Sequence, residues 1–183
     1  MTLSPLVETR QIGSLRVHAI QAGGQKLDGG AMFGVVPKPL WERRIAADAR
    51  NRIQLGMRCL LVEHEDGLLL IDTGAGNKEN DKFHEIYGVE NAATPGHVPH
   101  HQGIRLESDG EVAFYVADLV PTTAHLPLPW IMGYDVEPLV TLETKRRVLT
   151  RASKEGWLLV FEHDAITPWT KITHDGKAFT VLT

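Results

Sequence analysis

Three Asp-Gly pairs, each set between short apolar runs rich in β-branched and aromatic residues, constrain the fold of this chain most. They occur in the segments MRCLLVEHEDGLLLIDTG, GIRLESDGEVAFYVAD and WTKITHDGKAFTVL, as Asp66-Gly67, Asp109-Gly110 and Asp175-Gly176. Asp-Gly between two strand-like runs is a strong short-range signal for a β-hairpin, because both residues adopt the backbone conformations that a tight turn needs. We therefore predict three hairpins.

The rest of the chain predicts fewer elements. The segment SLRVHAIQAGG predicts a strand that ends at Gly23-Gly24, and LDGGAMFGVVPKPLW, rich in glycine and proline, predicts a long loop. A helix is predicted over residues 141–155, with Thr141 as N-cap and Gly156 as the stop. A shorter helix is predicted over residues 81–88, and WLLVFEHD predicts a strand. Hairpins with a few covering helices indicate a layered α/β domain.

Composition excludes several classes of function. With 183 residues, 43% of them hydrophobic, the chain has the size of one domain with a substantial core. A net charge of −4 leaves no positive surface for a nucleic acid. No apolar run approaches the roughly 20 residues that span a bilayer, and no signal peptide is evident, so we expect a soluble, cytoplasmic protein. The lone Cys59 is expected to pack as a small hydrophobe.

Three polar residues stand at predicted turns or strand ends. His97 follows the turn TPG, Asp118 ends FYVAD, and His163 lies at the end of LLVFEHD. Imidazole and carboxylate groups are the ligands of zinc and iron hydrolase sites, where the metal lowers the pKa of water. The three residues are too far apart in sequence for one local metal loop, so we predict ligands gathered from separate strand ends.

The motifs LLLIDTGAGN, TPGHVPHHQG, VADLVP and FEHD, in this order, resemble those of the metallo-β-lactamase-fold metallohydrolases, in their lactonase-like branch. The resemblance covers nearly the whole chain. It implies one domain over residues 1–183, with an αββα sandwich and a two-metal site at one edge. It also implies a small-molecule ester, lactone or similar carbonyl substrate.

The resemblance assigns roles by position. His97 would bind the first metal, Asp118 would bridge both metals as the catalytic carboxylate, and His163 would bind the second. Asp72 in IDTG would orient ligands without binding metal itself. The implied cofactor is zinc, as one or two ions, with iron and manganese as the other candidates.

The sequence departs from the family in one respect. Family members carry an HxHxDH motif between the DTG strand and the PGH turn, and no two histidines of this chain are separated by a single residue. The resemblance therefore implies an internally shortened sandwich, with an apparent deletion near residues 91–93 that removes four of the seven metal ligands. We expect hydrolysis to be impaired.

Two other functions fit parts of the sequence. LLIDTGA also resembles the catalytic turn of dimeric aspartic proteases, with Asp72 as the catalyst and WIMGYD as a faint match to a second element. Alternatively, the chain is a non-catalytic remnant or scaffold. Loss of inner strands would expose a sheet edge, which favours a homodimer.

The other histidines and several large apolar residues carry weaker expectations. His100 and His101 are expected on a solvated turn, and His125 is expected to line a loop. No acidic or histidine partner is expected for His18, His64, His84 and His174. An apolar substrate pocket and ordinary core packing are both open for Phe33, Trp41, Trp130, Met132 and Tyr134. The segment TKRRV is expected on the solvated face of its helix.

Overall fold

The computed structural model describes residues 6–72 and 103–182. Within these ranges the strands are β1 (Val7–Ile12), β2 (Leu15–Asp28), β3 (Arg52–His64), β4 (Gly67–Ile71), β5 (Ile104–Ser108), β6 (Glu111–Tyr115), β7 (Leu158–Val160), β8 (Trp169–Thr170), β9 (Ile172–His174) and β10 (Phe179–Val181). The α-helices are α1 (Gly29–Phe33), α2 (Lys38–Trp41) and α3 (Pro138–Glu155), and two 3-10 helices span Ala117–Leu119 and Thr123–His125.

Two four-stranded sheets form the framework. The first sheet has the order β1-β2-β3-β4 with every pair antiparallel, and the second has the order β5-β6-β7-β8. Strands β6 and β7 are parallel, so the chain must cross over between them, and the crossover contains α3. Strands β9 and β10 form a separate two-stranded sheet.

The sheets pack face to face, and α3 covers the second sheet. One buried cluster joins apolar residues of both sheets, among them Val17, Leu60, Tyr115 and Val160. A second cluster joins the outer face of β7 to Leu149 and other residues of α3. This order of layers, sheet on sheet with a helix outside, buries the two faces of the second sheet.

A third cluster, here called the end layer, closes one end of the first sheet. It consists of α1 and α2 packed on the far ends of β2 and β3, with the buried residues Met32, Phe33, Val36, Trp41, Ile53, Leu55, Ala124 and Met132. Phe33 stacks on Trp41 at 5.3 Å between ring centroids. Of the two roles left open for the large apolar residues, core packing is therefore the one seen for Phe33, Trp41 and Met132, whereas Tyr134 is exposed.

The three hairpins are confirmed. Strand β3 pairs antiparallel with β4, β5 with β6, and β9 with β10, each around its predicted Asp-Gly turn. The prediction that the first long strand ends at Gly23-Gly24 is wrong. Strand β2 continues to Asp28, because β3 begins at Arg52 and supplies paired partners along its whole length, with a register shift between Gln21 and Gly23.

The predicted long loop and the start of the long helix also need correction. The loop contains α1, which begins where the Asp28 side chain accepts a hydrogen bond from the Ala31 amide at 2.9 Å, and α2, which has proline in its first turn. Helix α3 begins at Pro138 rather than after Thr141. Its predicted stop is confirmed, since Gly156 adopts the left-handed conformation with φ of 69°.

The segment TKRRV is not wholly solvated. Lys145 is fully buried, and its ammonium donates hydrogen bonds to the carbonyls of Pro127 at 2.9 Å and Trp130 at 2.8 Å. Burial lowers the pKa of Lys145 to about 7, since the charged form is poorly solvated there. The helix predicted over residues 81–88 lies outside the described residues. No described helix is long and apolar enough to cross a membrane.

Candidate metal centre

Three strand ends of the two sheets bring acidic and imidazole groups together. Asp72 directly follows β4, Asp118 lies in the 3-10 helix after β6, and Glu162 and His163 lie just beyond β7. These four residues are called the strand-end site below. One ligand atom each from Asp118, Glu162 and His163 lies within 4.8 Å of the others.

His163 has a defined orientation. Its Nδ1 lies 2.9 Å from the Gly56 carbonyl oxygen, which can only accept, so Nδ1 carries the proton and donates. Its Nε2 then faces the carboxylates, 3.1 Å from Asp118 Oδ1 and 3.4 Å from Glu162 Oε1. An imidazole held through one nitrogen by a backbone carbonyl, with the other nitrogen aimed at carboxylates, is the usual arrangement of a metal-binding histidine.

The backbone around His163 is fixed from two sides. The Gly56 amide donates to the His163 carbonyl at 2.9 Å, and the His163 amide donates to the Pro121 carbonyl at 3.1 Å. A Cβ on Gly56 would lie 2.9 Å from the Gln21 side chain and 3.3 Å from the Asp164 carbonyl. Glycine at this position therefore lets β3 lie close to this segment without displacing the Gln21 side chain.

Asp118 is placed by an unusual backbone. The Val116 amide donates to the Val160 carbonyl at 3.1 Å, which continues the β6-β7 pairing by one step. Ala117 then adopts a φ of 44°, a left-handed conformation that costs an L-residue about 1–2 kcal/mol. The turn sends Asp118 across the strand end toward His163, with 34% of its side chain exposed. Backbone strain of this kind concentrates at functional sites.

Glu162 is the residue that the sequence analysis missed. Only 15% of its side chain is exposed, and it shares a hydrogen bond with Asp72. Burial, together with the negative charges of Asp118 and Asp72, raises the pKa of Glu162 to about 7 against the opposing effect of His163. A signal was present in FEHD, where a carboxylate directly precedes the histidine at the end of an apolar strand.

The charge of His163 follows from the same neighbours. Burial lowers the pKa of this imidazole, but the charge of Glu162 and the hydrogen bond to Asp118 outweigh burial and raise the pKa to about 9. The strand-end site therefore favours a positive charge beside its carboxylates. A proton on Nε2 supplies that charge in the absence of a metal.

The donor set fits a divalent metal. Two carboxylates and one imidazole nitrogen converge from two strand ends, and Asp118 leaves one side open to solvent. Carboxylate oxygens and imidazole nitrogen together suit zinc, iron and manganese. The turn residues His64, Glu65 and Asp66 also lie close together, but all three are exposed.

The predicted ligands have different outcomes. The structure brings Asp118 and His163 into contact and places Asp72 beside Glu162. His97, with His100 and His101, lies outside the described residues. Asp164, from the same FEHD motif, has a structural role. Its carboxylate accepts hydrogen bonds from the amides of Thr123, Ile166 and Thr167.

Two expectations about other histidines are wrong: that His18 and His64 lack an acidic partner, and that His125 lines a loop. His18 has an acidic partner, since its Nε2 lies 2.9 Å from Glu63 Oε1 across the β2-β3 pair. His64 also has one, with Nδ1 3.4 Å from Asp66 Oδ2. His125 does not line a loop but is fully buried in a 3-10 helix. His84 lies outside the described residues.

Comparison with known proteins identifies the fold. No protein-family model matches the chain, and no curated protein matches it. A probable metal-dependent hydrolase from Staphylococcus aureus has a TM-score of 0.84 and 22% identity, over 94% of this chain and 99% of that one. AbOPH, a hydrolase in the β-lactamase superfamily, has a TM-score of 0.76 and 14% identity, over 99% and 98%. This chain has the metallo-β-lactamase fold.

A lactonase shares the metallo-β-lactamase fold seen here. AidC, a dizinc quorum-quenching lactonase solved with the product N-hexnoyl-L-homoserine, has a TM-score of 0.75 and 14% identity, over 96% of each chain. The expected fold class is thus confirmed, and a 183-residue chain without HxHxDH fits an internal deletion. The apparent deletion point near residues 91–93 lies outside the described residues.

The metallo-β-lactamase fold does not support the aspartic protease alternative. The segment WIMGYD, the faint second match, lies in the end layer, where the Gly133 amide donates to the Ala31 carbonyl at 2.7 Å and Met132 is buried. Cys59 is buried as expected, and burial raises the pKa of its thiol to about 11, so it is a poor nucleophile.

Proposed function

We propose that this chain is a metal-dependent hydrolase acting on an ester, a lactone or a similar small carbonyl substrate. One observation carries the proposal. His163, oriented through Nδ1 by a backbone carbonyl, presents Nε2 to Asp118 at the strand ends of a metallo-β-lactamase fold. The solved structures that share this fold include a probable metal-dependent hydrolase and a dizinc lactonase.

Each residue has a defined role in this proposal. His163 and Asp118 hold the metal, His97 adds a further ligand, and Asp72 orients the site through its hydrogen bond with Glu162. A bound divalent metal supplies Lewis-acid polarisation of a carbonyl and lowers the pKa of water. Asp118, which is partly exposed, is placed to accept a proton from an attacking water.

We further propose that the activity is weaker than in relatives with a complete ligand set. The chain lacks HxHxDH, so it cannot build two fully coordinated metal positions from the ligands that the family uses. We propose that the single domain binds one metal ion, which is zinc or else iron or manganese. Without a second ion, less charge stabilisation is available in the transition state.

Metal content and hydrolysis test the proposal together. Protein purified without chelators or an affinity tag is analysed for metal per chain by mass spectrometry and assayed on simple lactones and aryl esters. We expect close to one metal per chain and slow, EDTA-sensitive turnover, both lost in His163→Ala. The control His64→Ala, on an exposed turn, should keep both. Turnover that survives EDTA and His163→Ala would refute the proposal.

A second candidate function is a dimerising scaffold. Strand β4 pairs only with β3 among the described residues, and its Leu68, Leu69 and Leu70 are 72%, 53% and 52% exposed. An apolar edge strand favours pairing with another copy of the chain. Size-exclusion chromatography with light scattering should then find a dimer that Leu70→Lys dissociates. A monomer at all concentrations would exclude this function.

A further inference from the structure

Glu162 is the least expected member of the strand-end site. Its side chain is 15% exposed, and its Oε1 lies 3.4 Å from His163 Nε2, on the nitrogen that also faces Asp118. A mostly buried carboxylate is uncommon unless it is paired or binds a metal. The ligands implied by family resemblance do not include it.

The local backbone explains how Glu162 and His163 reach the same point. Side chains of consecutive residues in a strand point to opposite faces. Strand β7 ends at Val160, and beyond it the Arg58 amide donates to the Glu162 carbonyl at 3.1 Å while the Gly56 amide donates to the His163 carbonyl. The chain thus leaves the second sheet and lies against β3. The two side chains then converge instead of diverging.

Arg58 and His163 are both positive groups close to Glu162 in the chain's packing. The Arg58 guanidinium is buried and donates to the carbonyls of Phe161 and Asp164 and to the Gln21 side chain. The imidazole of His163 lowers the pKa of Glu162 as a positive neighbour. A divalent cation would balance Glu162 and Asp118 better than one imidazolium does.

We propose that Glu162 is itself a metal ligand, so that Asp118, Glu162 and His163 form a site for a single divalent cation. This inference rests on the proposed function and changes its ligand set. Two carboxylates and one imidazole make a harder, more oxygen-rich site than a set of histidines. Compared with such a set, it should favour manganese and ferrous iron relative to zinc.

Metal affinity, rather than activity, tests this inference. Apo protein, prepared by chelation and dialysis, is titrated with Mn²⁺ and with Zn²⁺ in competition with an indicator dye, and bound Mn²⁺ is followed by electron paramagnetic resonance. Glu162→Gln keeps the shape of the side chain and removes its charge. We expect Mn²⁺ affinity to fall by more than about 100-fold, beyond the roughly 10- to 100-fold that loss of an outer-shell partner costs. His163→Ala should abolish binding.

A matched control separates ligation from a general loss of charge or fold. Glu143→Gln makes the same change on the exposed surface of α3, where Glu143 pairs with Arg146, and should leave affinity unchanged. Circular dichroism melting of the apo variants checks folding, and apo Glu162→Gln should be at least as stable as the parent protein because a buried carboxylate is gone.

The outcomes distinguish the two proposals. A loss of Mn²⁺ affinity by more than about 100-fold in Glu162→Gln, with an intact apo fold, supports the inference, whereas a smaller loss, as for an outer-shell partner, overturns it. Unchanged affinity in Glu162→Gln together with lost binding in His163→Ala overturns the inference alone, and the metal-dependent function stands on the other ligands. A parent protein that binds neither Mn²⁺ nor Zn²⁺ overturns both proposals.

Discussion

Two shielded histidines, one in the end layer and one in the strand-end site, have opposite acid-base character. His125 is fully buried, stacks on Phe33 at 4.3 Å between ring centroids, and has a pKa lowered by burial to about 3. His163 is 12% exposed and has a pKa of about 9, because the charge of Glu162 and the hydrogen bond to Asp118 outweigh burial. Burial lowers the pKa of both rings, and at His163 the charged partners outweigh it.

The tautomers of the two rings follow the same logic. His125 Nε2 donates to the Met32 carbonyl at 2.9 Å, so its Nδ1 must accept from the Thr122 hydroxyl at 2.8 Å. Both ring nitrogens of His125 are thereby used within the fold. His163 uses only Nδ1 on the backbone and turns Nε2 to carboxylates. His125 therefore has a structural role, whereas His163 presents Nε2 at a position suited to binding a cation.

Phe33→Ala should have the largest effect on the free energy of unfolding. It removes the buried ring that stacks on His125 and shields that imidazole from water. Phe33 is fully buried between Trp41 and His125, and truncating such a residue costs about 3–5 kcal/mol. Urea denaturation of the apo protein measures the loss. The control Val35→Ala, at a residue 93% exposed in the same segment, should change stability by less than about 0.5 kcal/mol. Similar effects of the two changes would contradict the assigned packing.

His125→Phe keeps the ring stack and removes both hydrogen bonds. The buried Thr122 hydroxyl and Met32 carbonyl lose their partner, which should cost about 1–3 kcal/mol at pH 7. The deficit should shrink in acid. The unfolded chain protonates His125 near pH 6.5 but the fold only near pH 3, so the parent protein loses stability as pH falls through that window. Denaturation at pH 7 and pH 4.5 measures this, and a deficit independent of pH would show that His125 is not held neutral.

His163→Gln should show the opposite pH dependence in the apo protein, with a smaller effect because the site is partly screened by solvent. The pKa of His163 is raised above its unfolded value. Its contribution is therefore complete below about pH 6.5 and is lost as pH rises through about 9. The stability gap between parent and variant should narrow from pH 6 to pH 9.5. A gap that widens with pH would mean that His163 is neutral in the fold.

These contrasts explain what the sequence could predict. Asp-Gly turns act locally, so the three hairpins followed from the residues themselves, as did the stop of α3 at Gly156. The run of β2 past Gly23-Gly24 depends on β3, and the burial of Lys145 depends on the carbonyls of Pro127 and Trp130. Partners distant in sequence decide such features, so local propensity alone does not predict them.

The site was predictable to the same extent. Asp118 and His163 were identified by their positions at strand ends and by resemblance, and their contact was an expectation that required the fold. Glu162 was missed because alternation along a strand would point it away from His163. Only the pairing of residues 162 and 163 with β3 brings the two side chains together.

Ala117→Gly should have the smallest effect on stability. Relief of the left-handed backbone at φ of 44° gains about 1–2 kcal/mol. Loss of a buried methyl costs about 0.8 kcal/mol, and the greater freedom of unfolded glycine costs about 0.5–1 kcal/mol. These terms nearly cancel, so we expect a net change within about 0.5 kcal/mol.

The control for Ala117→Gly is Ala152→Gly, at another buried alanine, in the interior of α3. There the backbone is ordinary helix, so no strain is relieved, and glycine should cost about 1–2 kcal/mol. Urea denaturation of both apo variants measures the difference. Equal losses would mean that the backbone before Asp118 stores no strain. A near-zero change in the stability of Ala117→Gly, together with weaker metal binding, would show that the strained backbone at Ala117 holds Asp118 beside His163.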